Sequence, residues 1–191
     1  MRLILASASE RRKELLSRLT HGFEVIVSNF EEENIEFRGE YGKYVIELAK
    51  GKANTVAEEL DTDAFVIGCD TIVAFKEHIL GKPKDKAEAF NTLKLLSGNV
   101  HQVYSGIAVI NTKTKKIKAD YVCTDVKFSE LTDEEIQRYI ETEEPMDKAG
   151  AYGIQGFGGV FVEEIHGDYY SVVGLPINKL NYILKGMGVN L

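Results

Sequence analysis

The sequence predicts an α/β fold, a mixed central sheet flanked by helices. Helical and strand periods alternate through the first half of the chain, and hairpin-like strand pairs dominate the second. One wholly apolar run, Ala64-Phe65-Val66-Ile67-Gly68-Cys69, is of the kind that a sheet buries on both faces. A length of 191 residues suits a single domain, 1–191, or two small lobes built on one sheet, with enough volume for a sizeable core.

Element by element, Arg2 to Ala6 reads as a first strand and Arg11 to Leu19 as a helix with Leu15, Leu16 and Leu19 inward. Phe23 to Ser28 alternates as a strand and runs into the acidic loop Glu31-Glu32-Glu33. A long helix spans Tyr41 to Leu60, and the apolar run from Ala64 continues through Ile72 to Phe75, with a turn near Lys76-Glu77-His78. Asp85 caps a helix carrying Phe90, Leu93 and Leu96, which Gly98 ends. His101 to Ile110 and Lys116 to Phe128 read as paired strands joined at Thr112-Lys113-Thr114. Thr132 with Glu135 forms a capping box that opens a helix with Ile136, Tyr139 and Ile140 inside. Gly159 to Ile165 and Tyr169 to Val173 read as a hairpin turned at Gly167-Asp168. Pro176 then opens a last helix with Ile177, Leu180, Ile183 and Leu184 on its apolar face.

Composition excludes several classes. With 44% hydrophobic and 28% charged residues the chain is neither disordered nor fibrous. No apolar run approaches the ~20 residues of a membrane helix. Met1 to Ala6 has a short apolar stretch like a signal peptide's, but Glu10, Arg11, Arg12, Lys13 and Glu14 interrupt it, so a cytoplasmic location is expected. The net charge of −7 argues against coating a nucleic acid polymer, and any bound anion must meet a local cationic pocket. Cys69 and Cys123 are too few for a disulfide scaffold or thiolate metal site, and each reads as a reduced core thiol.

The chemistry concentrates at a few positions. Ser7-Ala8-Ser9-Glu10-Arg11-Arg12 follows a strand and opens a helix, where free N–H groups, hydroxyls and a guanidinium fork suit phosphate. Ordinary capping by Ser9, or by Ser7 with Glu10, with both arginines solvated, explains the same residues and is commoner. Lys52 lies four residues after Leu48 and four before Val56, on the apolar stripe of its helix, so it must snorkel out or meet an anion. Gly51 beside it offers a ligand close approach or merely weakens the helix. Asp70 stands at the carboxyl end of the apolar strand, where ligands gather in open α/β sheets. It could act as general base or metal ligand, or form an Asx turn into Thr71. Glu31, Glu32 and Glu33 are oxygen ligands of the type Mg²⁺ prefers, or a solvated acidic loop. Lys82 sits in the tight turn Leu80-Gly81-Lys82-Pro83. The glycine-dense stretch from Asp147 to Gly156 is either a bland loop or a place where backbone approaches a ligand.

Taken together, these motifs resemble the Maf family of nucleoside triphosphate pyrophosphatases over nearly the whole chain. The resemblance rests on the serine-rich turn before Arg11-Arg12-Lys13-Glu14-Leu15-Leu16, on Gly68-Cys69-Asp70-Thr71-Ile72-Val73, on Leu80-Gly81-Lys82-Pro83 and on Leu96-Ser97-Gly98. It continues through Glu144-Pro145-Met146-Asp147-Lys148-Ala149-Gly150-Ala151-Tyr152-Gly153-Ile154-Gln155-Gly156 and Gly167-Asp168-Tyr169-Tyr170 to Val173-Gly174-Leu175-Pro176. It implies the branch acting on dTTP and UTP, hydrolysis between the α and β phosphates, and a divalent cation, Mg²⁺ or Mn²⁺. It implies as well a Maf/ITPase-like fold of two lobes with a cleft between them, as a homodimer. Carried over, Asp70 would accept the proton of the attacking water and Glu32 with Asp70 would hold the metal. Ser7, Arg12, Lys52 and Lys82 would surround the triphosphate, and Arg12, Thr71 and Gln155 would set substrate choice. The Gln155 amide offers one donor and one acceptor, matching the O4/N3–H edge of uracil or thymine. Relatives usually carry proline where this chain has Glu10, which is expected to point to solvent. Two other readings remain: a 7-methyl-GTP pyrophosphatase, and a nucleotide-sensing regulator of cell division by septum inhibition.

Overall fold

The computed structural model describes residues 2–191; Met1, where the leader-like stretch begins, lies outside them. In chain order the elements are β1 (Arg2–Leu5), α1 (Glu10–Ser17), β2 (Glu24–Val25), α2 (Tyr41–Glu58), β3 (Ala64–Phe75), β4 (His78–Leu80) and α3 (Lys86–Leu96). There follow β5 (Val100–Asn111), β6 (Ile117–Phe128), α4 (Asp133–Glu141), β7 (Val162–His166), α5 (Tyr169–Val173) and α6 (Ile177–Lys185), with short 3₁₀ turns between. The sheet is seven-stranded and mixed, ordered β2-β1-β3-β5-β6-β7 with β4 also on β3. β1 lies parallel between β2 and β3, while β4 and β7 run antiparallel to β3 and β6. The α/β class with a mixed sheet is therefore as predicted. Among the described residues no helix is long and apolar enough to cross a membrane.

The chain divides into two compact units. The first comprises the residues up to Asp70 with Ser105–Val122 and Gly174–Leu191, and the second Thr71–Tyr104 with Cys123–Val173. In the first, Ile4, Ala49, Ala53, Val56, Val66 and Ala108 pack α2 onto the sheet. Small residues on this helix face let its backbone come close. A Cβ at Gly68 would overlap the Ala49 carbonyl, and one at Gly106 the Val45 carbonyl. In the second, Phe128, Leu93, Leu96, Val126, Ile136, Tyr139 and Phe161 form the core. Asp85 and the Thr132–Glu135 capping box start α3 and α4 as expected.

The structure corrects four expectations. Among the described residues, the strand expected over Phe23 to Ser28 is paired only at Glu24–Val25, both exposed on the outer edge of the sheet, where no second neighbour extends it. Tyr169 to Val173 forms a helical turn rather than a hairpin strand, because the Asp168 carboxylate accepts from the N–H groups of Tyr170 (2.7 Å) and Ser171 (3.2 Å) and starts a helix there. Phe157–Phe161 is a 3₁₀ segment, which delays the preceding strand to Val162. Cys123 is exposed, not a core thiol, since it falls on the outward phase of β6, whereas Cys69 is buried.

Candidate active site

In the first unit the close approach of α2 to β3 assembles the charged centre. Gly68 and Asp70 share one face of β3 because strand side chains alternate. The same backbone contact that seats α2 over Gly68 brings Lys52 to Asp70. Lys52 Nζ donates to Asp70 Oδ1 and, at 2.7 Å, pairs with Glu32 Oε1. The Lys52 and Asp70 side chains are 15% and 9% exposed, so this ion pair is well shielded from solvent; Glu32, at 54%, reaches in from the rim. Of the two fates open to Lys52, the structure shows the anion.

Asp70 lies within β3 rather than at its end, and this also excludes the Asx turn. What ends nearby is β1, whose last parallel partner is Leu5 opposite Ile67. Asp70 therefore stands past the carboxyl end of the neighbouring parallel strand, the position where open α/β sheets gather ligands.

Glu32 is carried by a 3₁₀ turn, Glu32–Asn34, that Asn34 ties to the Glu31 carboxylate at 3.1 Å. Phe30 just before it packs against Gly51, whose missing side chain leaves room for the ring. Gly51 receives Phe30 and so docks the acidic turn beside Lys52.

At the start of α1, Ser9 is the N-cap and accepts from the Arg12 N–H. Capping is real here, yet it does not leave Arg12 solvated. Arg12 Nε donates to the Gly174 carbonyl at 2.9 Å and its Nη1 lies 3.5 Å from Ser7 Oγ, while Ser7 also receives the Ser9 N–H. The buried Cys69 thiol donates to the same Gly174 carbonyl at 3.1 Å. Burial pushes that thiol's pKa up, so it remains a protonated donor. Gly174 has φ +126, a conformation that favours glycine. Glu10 is exposed and pairs with Lys13, pointing to solvent as expected.

Tyr44 was not singled out by the sequence. Burial raises its phenol pKa, and the Asp70 and Glu32 carboxylates raise it further, which puts it in the field of the same centre. Its ring makes an edge contact with Phe37. The legible signal was the row Tyr44, Leu48, Lys52 at four-residue spacing on α2.

The second unit carries the remaining candidates. Thr71 is half-buried on β3, and Lys82 is exposed in the loop after β4. The Gly150 N–H donates to the Gly81 carbonyl at 3.1 Å, joining the Lys82 turn to the glycine-dense stretch. Gln155 lies exposed on that stretch.

Glu32 and Asp70 share one ammonium, so two hard oxygen donors stand close together. Among the described residues no group of three or more His, Cys, Asp or Glu forms a closed metal cage. A pair of carboxylates suits an open Mg²⁺ or Mn²⁺ site completed by water and phosphate oxygens.

A relative from Clostridium novyi named dTTP/UTP pyrophosphatase is 65% identical over the full length of both chains. One of the same name from Clostridium tetani is 59% identical, again over both full lengths. The solved Staphylococcus aureus Ham1 protein shares the fold, with a TM-score of 0.54 at 14% identity, covering 98% of this chain and all of its own. The family description "Maf-like protein" matches residues 2–187, and with relatives this similar along the entire sequence, the chain belongs to the Maf family.

Proposed function

We propose that the protein hydrolyses dTTP and UTP between the α and β phosphates, releasing the nucleoside monophosphate and pyrophosphate. The observation that carries this reading is Lys52 held between Asp70 and Glu32, in a chain 65% identical end to end to a protein named dTTP/UTP pyrophosphatase. Two carboxylates and a lysine, with an arginine fixed nearby, are what phosphoryl chemistry demands: a proton acceptor for water and cations for the charge on the phosphates.

In this mechanism Asp70 accepts the proton of the attacking water, and Lys52 orients the carboxylate that receives it. The bond between the α and β phosphates breaks and pyrophosphate leaves. Arg12, whose plane is set by Gly174 and Ser7, presents its guanidinium charge to phosphate oxygens, and Ser7 adds a hydroxyl. Lys82 contributes a further cation, and Thr71 and Gln155 select the base through the donor–acceptor edge that uracil and thymine share. Glu32 and Asp70 would hold a divalent cation, Mg²⁺ or Mn²⁺, which supplies charge neutralisation at the phosphates. The active species is a cytoplasmic homodimer, for which light scattering of the purified protein gives the stoichiometry.

The test is one panel of nucleotides, dTTP, UTP, CTP, GTP and 7-methyl-GTP, assayed with Mg²⁺ or Mn²⁺ and with EDTA. Monophosphate and pyrophosphate from dTTP and UTP, abolished by EDTA, are expected. A purine preference would transfer the reading to the 7-methyl-GTP branch. Tight triphosphate binding by calorimetry without turnover would make the protein a sensor.

A further inference from the structure

Glu144 has no role in the reading above, yet its surroundings are unusually ordered. It follows Glu143, which holds a left-handed backbone (φ +59) that non-glycine residues adopt rarely. Its half-buried carboxylate is bonded three ways. Oε1 accepts from the Tyr139 hydroxyl at 2.8 Å and the Gly158 N–H at 3.1 Å, and Oε2 accepts from the Phe157 N–H at 2.9 Å. The Tyr139 oxygen accepts in turn from the Gly153 N–H at 3.1 Å.

These anchors bracket Gln155. Gly153 lies two residues before it and Phe157 two residues after, and the Gly156 N–H closes onto the Gly153 carbonyl at 3.2 Å. Gln155 is thus the third residue of a tight turn whose first residue reaches the Glu144 carboxylate through the Tyr139 hydroxyl, while Phe157, just past its last residue, bonds that carboxylate directly.

The glycines follow from this arrangement. A Cβ at Gly156 would collide with Glu144 Oε2, and one at Gly158 would stand 2.6 Å from the Tyr139 oxygen. A segment so rich in glycine has high conformational freedom when unheld, so an anchor outside it must fix its shape. Amide–carboxylate bonds are charge-assisted and suited to that task. Burial alone would raise the Glu144 carboxyl pKa, but the Tyr139 hydroxyl, the two amides and Lys148 outweigh it and hold it below the usual range.

We propose that Glu144 is a positioning residue for substrate selection, fixing the turn that presents Gln155 to the nucleobase. This rests on the pyrimidine-triphosphate reading above, and the experiment separates the two. Glu144→Gln, close in shape but unable to accept at both atoms, and Tyr139→Phe, which releases the Gly153 N–H, are compared with the wild type. The measurements are kcat and KM on dTTP, UTP and CTP, and amide hydrogen exchange at Gly153, Phe157 and Gly158. Both variants are expected to raise KM for dTTP and UTP about tenfold with kcat within about twofold, and to narrow the preference over CTP. Exchange should accelerate at Phe157 and Gly158 in the first variant and at Gly153 in the second. If Glu144→Gln does not fold, Tyr139→Phe tests the same anchor through Gly153. Wild-type KM and selectivity in the folded variants, or a loss confined to kcat, overturns the proposal. A wild-type protein inactive on both dTTP and UTP sinks the pyrimidine reading instead, and unchanged exchange then overturns the anchoring role by itself.

Discussion

The ring of Phe30 lies against the α-carbon of Gly51, in space that any side chain at position 51 would fill. That contact joins the loop carrying Glu32 to the helix carrying Lys52. Alanine at position 51 would improve helix propensity by up to ~1 kcal/mol while displacing the ring. Gly51→Ala is therefore expected to leave Tm within about 3 °C of wild type and to lower kcat/KM on dTTP roughly tenfold through misplacement of Glu32. Thermal melts and steady-state rates check this, and full activity in the variant would show that Glu32 needs no such docking.

Lys52 is the shared cation of Asp70 and Glu32. Lys52→Met leaves two carboxylates facing each other, one of them shielded from solvent. The expected losses are about 2 kcal/mol of stability, less than for a fully buried pair because Glu32 is half exposed, and at least ~100-fold in kcat/KM. Urea denaturation and initial rates measure both. Unchanged stability would mean that water already screens the pair.

Arg12→Lys keeps the charge and loses the planar fork that Gly174 orients. KM for dTTP should rise about tenfold with Tm nearly unchanged, since one partly buried hydrogen bond contributes about 1 kcal/mol. A wild-type KM in this variant would remove Arg12 from substrate binding.

His101 gives a pH signature independent of the active site. It is buried, its Nε2 meets the Tyr152 hydroxyl at 2.8 Å, and its Nδ1 has no partner among the described residues. Burial pulls its pKa from 6.5 down to about 4, against a smaller opposing effect of Asp125. The folded state therefore binds this proton less readily than the unfolded chain. The stability it contributes is present above pH 6.5 and is lost as pH falls through 4, amounting to about 3 kcal/mol. Denaturation from pH 7 to 4 should show this slope, and His101→Phe should flatten it. An identical slope in the variant would assign the acid sensitivity to other groups.

Much of the centre was legible because chemistry and periodicity disagreed. A lysine on an apolar helix stripe and an aspartate in a core strand stand out from any sequence, and they meet. The supports did not stand out. Phe30 against Gly51 and the Gly174 carbonyl under Arg12 join segments whose pairing no local period encodes. Tyr169 to Val173 reads as a strand because its tyrosines and valines favour one, while the deciding bond comes from Asp168 just before it. Glu144 was invisible as an anchor because two of its carboxylate's three partners are backbone N–H groups, which every residue but proline possesses.

The bare α-carbon at Gly68 works as a spacer gauge. Since the Ala49 carbonyl already occupies the place of a Cβ, even one methyl group there would lift α2 and part the Lys52 ammonium from Asp70. The reach of the cation is thus governed by an atom the chain does not have, two residues from the acid it serves. An engineer wishing to retune that distance would do better to redesign the helix than to touch either charged residue.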